Sequence, residues 1–132
     1  MGQQQLLLLV IAIVITGVGI VVGFTMFHNA ADASQVDAVT QECVSMAARA
    51  QMYYMTPAYR GGGGYSFTGV TIEKILPASA HHAAGENEHG TFTITPQDST
   101  AEIVGTPRRS TAANRVVTLK VTAKTISTQI SE

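Results

Sequence analysis

Hydrophobic and polar positions follow three rhythms along this chain. From Leu6 to Phe27 the run LLLLVIAIVITGVGIVVGFTMF holds 22 residues without one charged side chain. From His28 to Met55 apolar residues recur three and four apart, and from Thr91 onward they alternate every second residue. The first rhythm predicts an apolar helix and the second an amphipathic helix. The third predicts strands with one buried face.

The apolar run is about as long as a helix needs to cross a hydrocarbon core. Its only polar side chains are Thr16 and Thr25, whose hydroxyls can bond back to a carbonyl one turn earlier. An exposed helix of this kind belongs in lipid or against other copies of itself. It does not match a removable secretion signal, which needs a basic start and a shorter apolar stretch. MGQQQ carries no Lys or Arg, and Ala30-Ala31-Asp32-Ala33 only loosely imitates a cleavage site.

Nothing stops the helix at His28, because no Pro or Gly follows until Pro57. Val36, Val39, Cys43, Met46, Ala50 and Tyr53 form the stripe, which Val44, Ala47 and Tyr54 widen. Asp32, Asp37, Glu42 and Arg49 mark a wetter side. One helix from about Gln3 to Met55 would be roughly 80 Å long. Thr56-Pro57 ends it, since proline disfavours helical geometry in the residue before it.

The stretch 57–90 reads as a loop. Arg60-Gly61-Gly62-Gly63-Gly64-Tyr65 lacks the spacing of a phosphate or dinucleotide loop, so it is read as a flexible connection anchored by Tyr65 and Phe67. Val70–Leu76 is a short helix or an extended piece. PASAHHAAGENEHG, from Pro77 to Gly90, gathers His81, His82 and His89 with Glu86 and Glu88. Imidazole and carboxylate are metal ligands, but no regular element fixes these, and a solvated loop is expected. Thr91–Thr95 and Ala101–Thr106 are strands, each stopped by a proline. Arg108–Asn114 is a polar turn, and Arg115–Ile130 is one long strand or two with a bend near Ala123-Lys124.

The fold class is therefore α+β: a long N-terminal helix, its first half hydrophobic, packed against a small antiparallel sheet. Residues 1–28 are the apolar helix and 29–132 a head, with helix to 56, loop 57–90 and sheet 91–132. A net charge of −1 gives no reason to expect a nucleic-acid partner. Cys43 is the single cysteine, so an internal disulfide is impossible, and on the apolar stripe it is a buried small hydrophobe. No catalytic motif, metal-ligand spacing or cofactor fingerprint occurs, so neither an enzyme nor a cofactor is expected. The pairs Phe24 with Phe27 and Tyr53 with Tyr54 are assigned to packing.

The opening MGQQQLLLLVIAIVITGVGIVVG resembles the N-terminus of type IV pilins and pilin-like proteins, in which a short polar start leads into a Leu/Val/Ile/Ala helix. Long helix, loop and short sheet resemble the same plan. In that family a glutamate precedes the Leu-Leu pair, where this chain has Gln5 before Leu6-Leu7. The amide accepts a hydrogen bond from a neighbour's N-terminal amine but brings no charge. The family's basic leader is not visible. Either Met1 is already the first processed residue, the preferred register, or the cut falls after Gly2 and the mature chain begins at Gln3.

The resemblance implies a major pilin: a chain held in the inner membrane, handled by a prepilin peptidase and pilus assembly machinery, and then polymerised with itself. The filament lies at the cell surface, with a methylated N-terminus and a role such as adhesion. Assembly would rest on Met1, Gln5, Leu6, Leu7, Gly17, Gly19 and Gly23. Gly19 and Gly23 have the four-residue spacing that lets helix backbones approach. Gly17-Val18-Gly19 is where such a helix would lose regular hydrogen bonds in a filament. Two other readings stay open: a minor pseudopilin of a secretion or DNA-uptake apparatus, and a monomeric membrane-anchored binding domain.

Overall fold

In the computed structural model, residues 2–76, 85–108 and 114–131 are described. Helix α1 runs from Gly2 to Met55. The chain divides into two compact units, one ending at Ala33 and the other beginning at Ser34. With the boundary expected at residue 28, the first unit is a few residues longer. Val36 is the first buried side chain of α1, and the small side chains of Ala30, Ala31 and Ala33 stay outside any core.

In the second unit, Val36, Val39, Cys43, Met46, Ala47 and Ala50 are the buried side chains of α1. Their three- and four-residue spacing puts them on one face. Tyr53 and Tyr54 pack against the core at its edge. Val44, expected to widen the stripe, is 42% exposed, because it stands off the face the sheet covers.

Among the described residues four strands follow α1: β1 (Gly90–Pro96), β2 (Thr100–Pro107), β3 (Val116–Thr122) and β4 (Ile126–Ser131). They form one antiparallel sheet in sequence order. The stretch expected as one strand or two is two, turned at 123–125. Thr122 closes that turn, accepting the Thr125 N–H on its hydroxyl at 3.0 Å and donating its own N–H to the Thr125 carbonyl at 2.8 Å.

Register decides which residues reach the core. Phe92 pairs with Gly105, Ile103 with Leu119, Ala101 with Val121, and Gly105 with Val117. All of these face inward and are buried. Burying these aliphatic and aromatic side chains against the α1 stripe stabilises the head by roughly 1.5–3 kcal/mol for each large residue. The outward face carries Thr93, Thr95, Glu102, Thr118 and Lys120, which suits water. At the β4 edge the inward rhythm fades, and Ile130 is half exposed.

The segment 57–76, expected as a loop, carries two short helical turns and a set of main-chain hydrogen bonds. A 3-10 turn spans Ala58–Arg60, and a four-residue helix α2 spans Ile72–Ile75. The glycines complete the end of α1. Gly63 N–H donates to the Tyr53 carbonyl at 2.9 Å, Gly64 N–H to Thr56 at 3.0 Å, and Tyr65 N–H to Tyr54 at 2.9 Å. These are the carbonyls a helix C-terminus leaves without partners. A Cβ on Gly63 would collide with the Ser66 carbonyl and the Tyr53 ring, so glycine is needed there for space. Phe67 is fully buried, but Tyr65, expected to anchor the same loop, is 76% exposed and only meets the edge of Tyr54.

Candidate functional site

The apolar half of α1 is the sequence's strongest functional signal, and its geometry is simple. Leu, Val, Ile and Phe side chains project on every side of the helix between Leu6 and Phe27, and each large one is 45–68% exposed. Thr16 donates its hydroxyl to the Ala12 carbonyl at 2.7 Å, and Thr25 to Val21 at 2.9 Å. Both hydroxyls are thereby satisfied within the helix, leaving an apolar outer surface. Among the described residues, α1 is the one helix long and apolar enough to cross a membrane.

Gln5, Leu6 and Leu7 sit in the first two turns of α1 and are exposed, while Met1 lies outside the described residues. Around Gly17, Gly19 and Gly23 nothing stands within 4 Å of an added Cβ. Gly19 and Gly23 leave a notch on one helix face, and Gly17 opens on another. The helix is regular through Gly17-Val18-Gly19 in the single chain. Phe24 and Phe27 are not core residues here. Phe24 lies against the His28 ring with centroids 4.4 Å apart, and both phenylalanines are exposed. His28 closes the apolar run with its Nδ1 buried and without a hydrogen-bond partner.

The other sequence candidates resolve into structural roles. Cys43 is buried in the head core, where burial first and the neighbouring Glu42 carboxylate second push its thiol up to about 12. Such a thiol is a poor nucleophile. The glycine run has no free cradle, since the N–H groups of Gly61, Gly62, Gly63 and Gly64 all donate to backbone carbonyls.

The polar loop after residue 84 is more than a solvated turn. Asn87 is buried and donates to the Glu42 carboxylate of α1. Its side-chain Oδ1 accepts the N–H groups of His89 at 2.9 Å and Gly90 at 3.0 Å. His89 Nε2 stands 3.6 Å from Glu42 and 3.5 Å from Glu88, and Arg108 lies 3.3 Å from Glu86. Sequence reasoning missed this hub because its partners are far apart in the chain. The one available signal was a single asparagine between two glutamates, a common surface pattern. His81 and His82 fall outside the described residues. Among the described residues, no three His, Cys, Asp or Glu side chains gather as a metal site would require.

No protein-family model, curated protein or solved structure matches this chain.

Proposed function

We propose that this chain is the structural subunit of a type IV pilus-like helical filament. The apolar half of α1 forms the filament core, and the α+β head forms the outer wall. The observation that carries this reading is the exposure of every large side chain from Leu6 to Phe27 in a helix without charge. A surface of that size needs an apolar surrounding. Membrane lipid supplies it before assembly, and neighbouring copies supply it afterwards.

Exchange of lipid contacts for helix contacts changes little hydrophobic energy, so close packing decides the outcome. The open notch at Gly19 and Gly23 is suited to that packing. A heterologous contact that does not close into a ring yields a helical polymer. In this reading Gln5 offers an amide oxygen to a neighbour's N-terminal ammonium, a weaker link than a carboxylate would make. The role is mechanical, without catalysis or cofactor, and the working location is the cell surface.

The test is to shear the cells that make this chain and examine the released material by electron microscopy and intact mass. Thin fibres composed chiefly of this chain are expected. A chain found only as a discrete monomer in the detergent-solubilised membrane fraction would replace this reading with that of an anchored domain.

A further inference from the structure

A groove of about 580 Å³ lies at the C-terminal end of α1, lined by Arg49, Met52, Tyr53, Thr56, Arg60 and Lys74. Its charge is one-sided. Arg49 makes no hydrogen bond or ion pair among the described residues, and Arg60 only approaches the Tyr59 ring at 5.9 Å. Lys74 donates to the Gly69 carbonyl at 3.2 Å and stands 5.1 Å from the Tyr53 ring centre. Among the described residues, none of the three cations has a carboxylate within ion-pair reach.

Three like charges sharing one depression repel one another and favour an anionic guest. The guest must also meet an apolar surface. Met52 is 70% exposed, and Tyr, Met and Arg together are the composition of an interface core.

The same chain carries a matching surface. Asp37 is exposed on α1 and has no partner among the described residues. Gln41 and exposed Val44 continue along its face one and two turns further on. Asp37 and Arg49 lie about 120° apart around the helix, from the rotation of roughly 100° per residue. A heterologous contact requires two such different, complementary patches on each copy. Other exposed carboxylates fit less well. Glu73 is the sequence neighbour of Lys74, and Glu102 stands opposite Lys120 in the sheet register.

We infer that the Arg49–Arg60–Lys74 groove receives the Asp37–Val44 face of a second copy of this chain. This inference rests on the filament reading and names the head-to-head contact within it. With parallel α1 helices, the two copies are displaced along the helix axis by about 18 Å, the rise over twelve residues.

The experiment uses the full chain in the cells that make it, with sheared fibres counted and membrane-bound chain quantified. Arg49→Glu and Asp37→Arg are each expected to lower fibre yield on the order of tenfold, through like charges brought face to face. Head unfolding temperature and the amount of membrane-bound chain stay unchanged. The combined Asp37→Arg and Arg49→Glu swap is expected to restore the yield to within about threefold of the parent. Single reversals without effect on yield would overturn the inference, as would a swap no better than the singles. If the parent chain itself makes no fibres, the filament reading fails first and this inference falls with it.

Discussion

Cys43 Sγ lies 2.6 Å from the point where a Cβ on Gly105 would stand, and Val39 Cγ1 lies 2.7 Å from it. Helix α1 presses on strand β2 at the one position without a side chain. Glycine normally weakens a strand interior, and here the close approach of a neighbouring element explains it. Replacing Gly105 by Ala is expected to destabilise the head by about 1–3 kcal/mol through overpacking. Thermal unfolding in detergent measures it. Adding Cys43→Ala should recover part of the loss, because the nearest colliding atom is removed.

Cys43 also sets a pH limit. Its thiol is raised from 9.0 to about 12 in the folded head, so folding favours the protonated form. That contribution is complete below pH 9 and is lost as pH rises toward 12. The parent is expected to lose stability more steeply than Cys43→Ala across that window. At neutral pH the folded thiol should resist a disulfide reagent and react only after denaturant is added.

Asn87 joins α1 to the entry of β1 by three hydrogen bonds. Asn87→Ala leaves two backbone N–H groups and a carboxylate short of a partner, which is expected to cost about 1–3 kcal/mol. Asn87→Asp should be worse still, since it sets a second carboxylate against Glu42. A pair of unfolding curves separates these outcomes.

Gly19 and Gly23 give opposite expectations for the single chain and the polymer. Ala at both positions meets nothing within 4 Å and favours helix by about 1 kcal/mol per site. The monomer in detergent should therefore gain helical stability. Leu at both positions should fill the notch and sharply reduce sheared fibre yield while leaving head stability alone. Fibres of parental abundance from the Leu variant would remove the notch from the assembly mechanism.

The parts of this fold legible in the sequence are those written in local periodicity. The stripe from Val36 to Ala50 and the alternation through Val117, Leu119 and Val121 place the helix, the sheet and most of the core. Val44 and Tyr65 escaped because periodicity cannot say how wide a face the sheet covers. The hydrogen bonds of the glycine run were not legible because composition reports turn formers and not their partners. Gly63 to Tyr53 is a bond across ten residues, and only the folded turn reveals it. The Asn87 hub was illegible for the same reason at longer range, with Glu42 45 residues away. The apolar helix was fully legible as an object. What should surround it is a property of other molecules.

The covered stretch of α1 is fastened by different chemistry at its two ends. Near Tyr53 the links run chiefly from main chain to main chain, through Gly63 and Tyr65, with Gln51 to the Thr122 carbonyl and Tyr53 to the Thr68 carbonyl as side-chain additions. Near Gln35 and Glu42 they run through side chains, to the His89 carbonyl and to Asn87. Main-chain links survive almost any substitution that leaves the turn its shape, whereas side-chain links vanish one codon at a time. The head therefore has one end that tolerates drift and one that records it, and unfolding that begins locally should open first at the Asn87 end.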